Sequence, residues 1–211
     1  GPKLRVVARA GVGVDNIDLD AATRAGVLVL NAPGANAYSA AEHTIALLLA
    51  LTRQIPLADS ATRAGDWPRK QIRPLDLRGR TVGIVGLGRV GGLVAKRLAA
   101  FEMRVIAYDP FIPESRFDQL DVESVPLETI WNQSDIVTFH VPSTDATQHM
   151  LNSETIPLLK PGAIVINAAR GDVVDQDALA DALRSGHISR AAVDVFPHEP
   201  CRESPLFELP N

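Results

Sequence analysis

Residues 81–109 read TVGIVGLGRVGGLVAKRLAAFEMRVIAYD, a stretch whose pattern specifies strand, turn, helix and strand in succession. Thr81-Val82-Gly83-Ile84-Val85 is a short apolar run closed by a glycine turn, the pattern of a strand buried on both faces of a parallel sheet. Gly86-Leu87-Gly88-Arg89-Val90-Gly91 follows as G-x-G-x-x-G. Val90, Leu93, Val94, Arg97 and Leu98 then recur at helical spacing, so a helix running to the neighbourhood of Phe101 is predicted. Arg104 to Tyr108 predicts a second strand that ends on Asp109. Such a glycine pattern is weak evidence alone. With a strand before it, a helix after it and an acid about 20 residues on, it has the context of a dinucleotide-binding βαβ unit. Gly86 permits the tight turn, Gly88 lets the backbone approach a pyrophosphate, and Gly91 lets helix and strand pack closely. The unpaired N–H groups of the helix start would bind that anion. A carboxylate at Asp109 would accept hydrogen bonds from an adenosine ribose. It would repel a 2′-phosphate, and Pro110-Phe111-Ile112-Pro113 offers no arginine to neutralise one, so NAD is expected rather than NADP.

Outward from this unit the βα rhythm continues. Strands are predicted over 122–125, 136–141, 163–166 and 190–193, and helices over 127–132, 153–159 and 175–185, the last ended by Gly186. Alternating strands and helices imply an α/β fold, a doubly wound parallel sheet of Rossmann type with helices on both faces. Towards the N-terminus, residues 3–9 and 27–30 read as strands flanking a short helix over 19–25 capped by Asp18, with 11–16 a turn-rich loop. The break at Asn31-Ala32-Pro33-Gly34 is the expected boundary, dividing the chain into 1–33 and 34–211. A long helix is expected from Ser39, with Glu42 closing a capping box, running to Gly65 unless Pro56 kinks it. Its middle, 44–52, is apolar on every side, so it is either a central core helix or one that packs on a partner subunit. The tail, 197–211, is rich in proline and acid and reads as irregular.

Composition narrows the function classes. The 211 residues are 46% hydrophobic with a net charge of −4 and no basic run, so no nucleic-acid or anionic-membrane partner is expected. The longest apolar run, 45–51, is too short to cross a bilayer, and no basic-then-apolar leader opens the chain. Cys201 is the lone cysteine, which excludes an intrachain disulfide and a cysteine-based metal site; no metal is expected. A soluble cytoplasmic protein is the expectation.

In an open parallel sheet ligands lie beyond the carboxyl ends of the strands. Polar residues collect there: His140-Val141-Pro142, Asn167-Ala168-Ala169-Arg170-Gly171, and Asp194 with His198-Glu199-Pro200. Arg170, among small residues, suits a fork for a carboxylate or carbonyl, or else a structural ion pair with Asp172 or Asp194. Glu199 suits the orientation of a general-acid histidine, or else is a solvated loop acid. His140 reads as a lining residue, His198 as a surface residue, and Asp194 as a contact on the nicotinamide side. His43, His149 and His187 have no readable partner.

Together these residues resemble the NAD-dependent D-isomer-specific 2-hydroxyacid dehydrogenases, most closely their D-3-phosphoglycerate dehydrogenase branch, which acts in serine biosynthesis. The matching segments are RAGVGVDNID (9–18), SAAEHTIALLLALTRQIP (39–56), GLGRVGG (86–92) with YDP (108–110), INAARGDVVDQDAL (166–179) and AVDVFPHEPCRESPLFELPN (192–211). The resemblance implies catalytic roles for Arg170, binding the substrate, and Glu199, pairing with the catalytic histidine. It implies cofactor contacts at Val12, Arg89, Val90, Asp109, Val141, Pro142, Ala168, Ala169, Arg170 and Asp194, beside Gly86, Gly88, Gly91 and His140 of the rim. It further implies a homodimer through the helix from Ser39 and a small 2-hydroxy acid as substrate. Relatives carry the catalytic histidine in a P-H-x-G segment beyond the position of Asn211 and begin with a substrate domain of which 1–33 looks like a remnant. The chain is therefore expected to be mainly the NAD-binding domain and to turn over almost nothing. Two other readings are a different 2-hydroxyacid dehydrogenase, such as a glyoxylate or hydroxypyruvate reductase, and a non-catalytic NAD-sensing module like the family's corepressors.

Overall fold

The computed structural model describes residues 3–14 and 16–211. Asp15, part of the predicted turn loop and of the RAGVGVDNID segment, and the first two residues of the N-terminal segment lie outside the described residues. The chain opens with β1 (Val6–Ala8), α1 (Leu19–Arg24) and β2 (Leu28–Leu30), and the two strands pair in parallel as a small sheet of their own. Asp18 caps α1 by accepting the Ala21 N–H at 2.8 Å, as predicted.

Two helices follow, α2 (Ala37–Arg53) and α3 (Ile55–Arg63), so the expected long helix is interrupted close to Pro56, the position at which a kink is allowed for. The first begins at Ala37, two residues before Ser39, and no capping box forms. Glu42 instead accepts from Arg97 at 3.2 Å. The break falls at Gln54, held at φ 52° in the left-handed region, and Pro56 stands in the first turn of α3, where its missing N–H costs nothing. The middle of α2 is not uniformly buried. Ala41, Thr44, Leu48 and Thr52 form one buried face at helical spacing, while Ile45, Leu47, Leu49 and Leu51 are half-buried.

The main sheet has six parallel strands in the order β5-β4-β3-β6-β7-β8. These are β3 (Thr81–Val85), β4 (Arg104–Tyr108), β5 (Glu123–Ser124), β6 (Ile136–Phe139), β7 (Ala163–Asn167) and β8 (Ile188–Val193), joined by α4 (Arg89–Ala99), α5 (Glu114–Leu120), α6 (Leu127–Gln133) and α7 (Gln176–Ser185). The doubly wound prediction holds, and the alternation of side chains shows why. Val82, Ile84, Val105, Ala107, Ile136, Ile164 and Ile166 face the layer that contains Ala41, Leu48, Val94 and Leu98. Val85, Ile106, Val137, Phe139, Ala163 and Val165 face the layer that contains Ile130, Trp131, Leu179 and Leu183. A strand that buries both faces must be apolar at every position, which is the sequence signal of 81–85.

Two local readings are corrected. Residues 153–159 form no α-helix, only a single tight turn at Ile156–Leu158. The side chain of Asn152 accepts from the N–H groups of Glu154 and Thr155, and these bonds compete with a helix. The helix α5 was not anticipated; Pro113 in extended conformation precedes it and Glu114 opens its first turn.

Candidate functional site

The strand order reverses between β3 and β6, because β3 turns one way to β4 while β6 lies on its other side. Crevices at such a point receive ligands. The loops after the two strands touch there. A Cβ on Gly86, whose φ is +92°, would stand 2.7 Å from the carbonyl oxygen of His140. A Cβ on Gly91 would stand 2.0 Å from the carbonyl oxygen of Gly86. Both positions are thus dictated by the protein's own backbone. Gly88 is different: a Cβ there meets nothing within 4 Å. It precedes α4 as its N-cap without any side-chain cap, so the first N–H groups of the helix have no partner within it. The space a side chain would fill, beside those donors, suits an anion.

Asp109 closes the other side of this corner. Its carboxylate accepts the Leu87 N–H at 2.9 Å and the Phe111 N–H at 3.0 Å, which fixes the group at the end of β4 and leaves further lone pairs for ligand hydroxyls. Arg89 is exposed and lies over Gly34, where a Cβ would stand 2.8 Å from Nη1. The loop bearing Val12 is laced to the same linker. Asn31 donates to the Val12 carbonyl at 2.8 Å, and Ala32 N–H donates to the Gly11 carbonyl at 2.9 Å.

At the end of β6 the His140 ring makes a 3.1 Å hydrogen bond with Thr138 Oγ1. Burial pushes its pKa down to about 4, so the imidazole is neutral near pH 7. Val141 is half-buried, and Pro142 offers its carbonyl to Thr147 Oγ1 at 2.6 Å. Ser143 Oγ donates to Asp172 Oδ2, which ties the loop after β6 to the loop after β7.

Beyond β7, Asn167 folds the rim. Its buried side chain donates to the Arg170 carbonyl at 2.9 Å and accepts the Ala169 N–H at 3.1 Å, which curls 167–170 and carries Ala168 and Ala169 with it. Arg170 donates from Nη1 to the Ala169 carbonyl at 2.7 Å. Asp172 meets Ser143 and Asp194 meets His43 on the same rim. Asp194 follows β8, its N–H bound to the Asn167 carbonyl at 3.0 Å, so it stands beside the same loop. Glu199 is exposed in the tail and accepts the Phe196 N–H at 3.1 Å. The tail itself is held close: a Cβ on Gly171 would stand 2.0 Å from the carbonyl carbon of Phe196.

Sequence reading gave no role to Asn167 and no partner to His43 or His187. His43 Nε2 lies 3.1 Å from Asp194 Oδ1, and His187 Nε2 lies 3.0 Å from the Ile156 carbonyl. Asparagine at the end of a strand, able to bond its own backbone two and three residues on, was the available signal for the first. Nothing local signals the others. Among the described residues, no group of three or more His, Cys, Asp or Glu is arranged to hold a metal, and no helix is long and apolar enough to cross a membrane.

Residues 45–211 match the NAD-binding domain of the D-isomer-specific 2-hydroxyacid dehydrogenases. The chain is 52% identical over 208 residues to D-3-phosphoglycerate dehydrogenase of Mycobacterium tuberculosis, covering 99% of this chain and 39% of that protein. It therefore spans about two fifths of the length of such relatives. Among solved structures, a formate dehydrogenase from Granulicella superposes with a TM-score of 0.94 at 30% identity, covering 99% of this chain and 57% of that one. D-lactate dehydrogenase from Aquifex aeolicus, solved with NAD and lactic acid, superposes with a TM-score of 0.85 at 36% identity, covering 92% and 59%.

Proposed function

We propose, from the premise that this chain belongs to the D-isomer-specific 2-hydroxyacid dehydrogenase family through its NAD-binding domain, that it is the cofactor-binding part of a D-3-phosphoglycerate dehydrogenase. The observation that carries the reading is Gly88. The flanking glycines are required by backbone contacts within the protein, and this one is not. Its open space beside the bare start of α4 fits a pyrophosphate, with Gly86, Arg89, Val90 and Gly91 around it. The Asp109 carboxylate then accepts the hydroxyls of the adenosine ribose, which selects NAD over NADP. His140, Val141 and Pro142 line one wall, and Val12 the side of the linker. Ala168, Ala169, Arg170 and Asp194 stand towards the nicotinamide. When bound, NAD supplies a hydride acceptor.

The remaining chemistry belongs to side chains. Arg170 holds the substrate's carboxylate and carbonyl oxygen through its fork of donors, and the curl imposed by Asn167 sets its position. Glu199 orients the histidine that takes the hydroxyl proton of 3-phosphoglycerate as the 2-oxo product forms. In this reading that histidine lies outside residues 1–211, residues 34–211 form the cofactor unit, and 1–33 belong with a substrate domain. Half-buried Leu47 and Leu51 of α2, with exposed Ile55 and Leu57 of α3, support a homodimer formed on that face.

Thermal shift of the 211-residue chain with NAD and NADP tests the cofactor, and a larger shift with NADP overturns the role of Asp109. The same chain should bind NADH and show no steady-state turnover. Restoring the flanking segments and assaying 3-phosphoglycerate against glycerate and lactate tests the substrate. Equal rates remove phosphoglycerate in favour of a broader 2-hydroxyacid dehydrogenase.

A further inference from the structure

The helix α2 is pinned to β8 at two points. At one end Arg190 donates from Nη1 to the carbonyls of Leu51 and Thr52 at 3.1 and 3.3 Å, and from Nη2 to the Arg73 carbonyl. At the other end His43 meets Asp194. The spacings agree. From residue 43 to 51 a helix advances about 12 Å, and from residue 190 to 194 a strand advances about 13 Å. The helix therefore runs antiparallel along the strand in a register that brings the His43 ring to the carboxyl end of β8. Arg190 fixes the register, and His43 stands at the rim in this register.

We infer that His43 is a positioning residue for the nicotinamide end of the cofactor, acting through the Asp194 carboxylate. This rests on the reading of Asp194 as a nicotinamide-side contact. The backbone of Asp194 is fixed by its bond to Asn167, but a short acid at a strand end retains rotamer freedom. His43 Nε2 lies 3.1 Å from Oδ1, a contact that favours one rotamer of the acid and leaves Oδ2 to accept from a carboxamide N–H group. Both side chains are 48% exposed, so the pair contributes little to stability. What it supplies is direction. The donor comes from a different layer of the fold than the acid it holds, so binding at this rim depends on the seating of α2.

Three variants of the 211-residue chain and two ligands test this. NADH carries the nicotinamide; ADP-ribose has the same adenosine and pyrophosphate without it. His43→Leu should weaken NADH about tenfold, or about 1.4 kcal/mol, and change ADP-ribose by less than about twofold. His43→Gln places an amide donor near the position of Nε2 and should restore NADH affinity to near that of the unaltered chain. Asp194→Asn should lose as much as His43→Leu, and the double variant no more than either alone. Melting temperatures should stay together throughout. Unchanged NADH affinity in His43→Leu overturns the inference. So does equal weakening of both ligands, which marks a general structural effect, and so does failure of His43→Gln to restore binding. If the unaltered chain binds ADP-ribose but His43→Leu and Asp194→Asn are both silent with NADH, only the nicotinamide-side assignment is lost. If it binds neither ligand, the cofactor reading itself is lost.

Discussion

The two ends of the crevice are built on different principles. The glycine corner is assembled mainly from neighbours: the Asp109 carboxylate reaches the Leu87 N–H across 22 residues of chain, and one βαβ unit supplies the three glycines, the helix start and the acid. The rim after β7 and β8 is assembled from strangers. Asp194 is met by His43 of α2, and four residues back along β8 Arg190 holds the carbonyl of Leu51, 139 residues away in sequence. Chemistry encoded within one supersecondary unit can be read without knowing the fold. Chemistry encoded by packing cannot, because the partner is chosen by register and not by spacing.

The largest effect expected separates two glycines inside the corner itself. Gly91→Ala places a Cβ 2.0 Å from the Gly86 carbonyl oxygen, with backbone on both sides of the collision. A loss of about 4 kcal/mol or more is expected, at the top of the range for single substitutions. Gly88→Ala meets open space at φ −67° and should unfold within about 1 kcal/mol of the unaltered chain. Its affinity for NAD should nevertheless fall by about tenfold or more, because the methyl group fills the space left for phosphate. Urea unfolding and NADH titration of both variants measure this. A stable Gly91→Ala, or a Gly88→Ala that binds NADH normally, breaks the distinction between a glycine required by the protein and one required by its ligand.

Next in size is the seam that joins the far rim to the tail. Gly171→Ala drives a Cβ to 2.0 Å from the Phe196 carbonyl carbon and 2.3 Å from the Pro197 nitrogen. The tail is less firmly built than the corner and can give way, so the expected loss is about 3 to 4 kcal/mol. Limited proteolysis should then cut beyond Phe196 while the core remains intact. Uniform loss of the whole domain would show that the tail is as integral as the glycine corner.

What the sequence made legible follows the same division. Val82, Ile84 and Val85 announced a doubly buried strand, and the glycines with Asp109 announced the corner, because periodicity and spacing are local quantities. Asp18 and Gly186 were legible as helix ends for the same reason, and the structure has the aspartate bond and a left-handed Gly186 at φ +78°. The start of α2 was misread because Glu42 suggested a capping box, whereas a distant arginine claims it; the Arg97 guanidinium also lies 6.0 Å from the Tyr38 ring. The break beside Pro56 is anticipated in the sequence, but the contact of the Gln54 side chain with the Arg73 N–H, 19 residues away, is not. No helix forms at 153–159 because the side chains of Asn152 and Thr155 bond the backbone of 150–155, a competition that apolar spacing does not register.

His140 lies between the two regions and offers a pH test. Its folded pKa of about 4 is below the ordinary value of 6.5, so the unfolded chain binds the extra proton first as pH falls. Stability from this residue is fully present above about pH 6.5 and is lost towards pH 4, by up to about 3 kcal/mol. His140→Gln retains a polar partner for Thr138 and cannot titrate, so the difference in unfolding free energy between pH 7 and pH 4 should shrink by that amount. An unchanged difference would mean the imidazole is hydrated and the wall at the switch point is open.

The smallest effect sharpens the comparison most. Arg190→Met keeps the length of the side chain and removes a guanidinium shared among three backbone carbonyls, two of them at the C-terminal end of α2. A cation there also complements the helix dipole, and burial already weighs against its charge by lowering its pKa. The expected cost is about 2 kcal/mol. If α2 is seated on β8 by this residue, the same substitution should also weaken NADH more than ADP-ribose, though Arg190 is remote from the rim and nearer the opposite end of the strand. The glycine corner should change less, since the bonds of Asp109 there lie within its own βαβ unit. A stability loss with both ligands bound as before would place the seating of α2 elsewhere, in the contacts of Glu42 and Tyr38 with Arg97. The far rim would then depend on α4, the same helix that forms the near corner, and the two ends of the crevice would share one support.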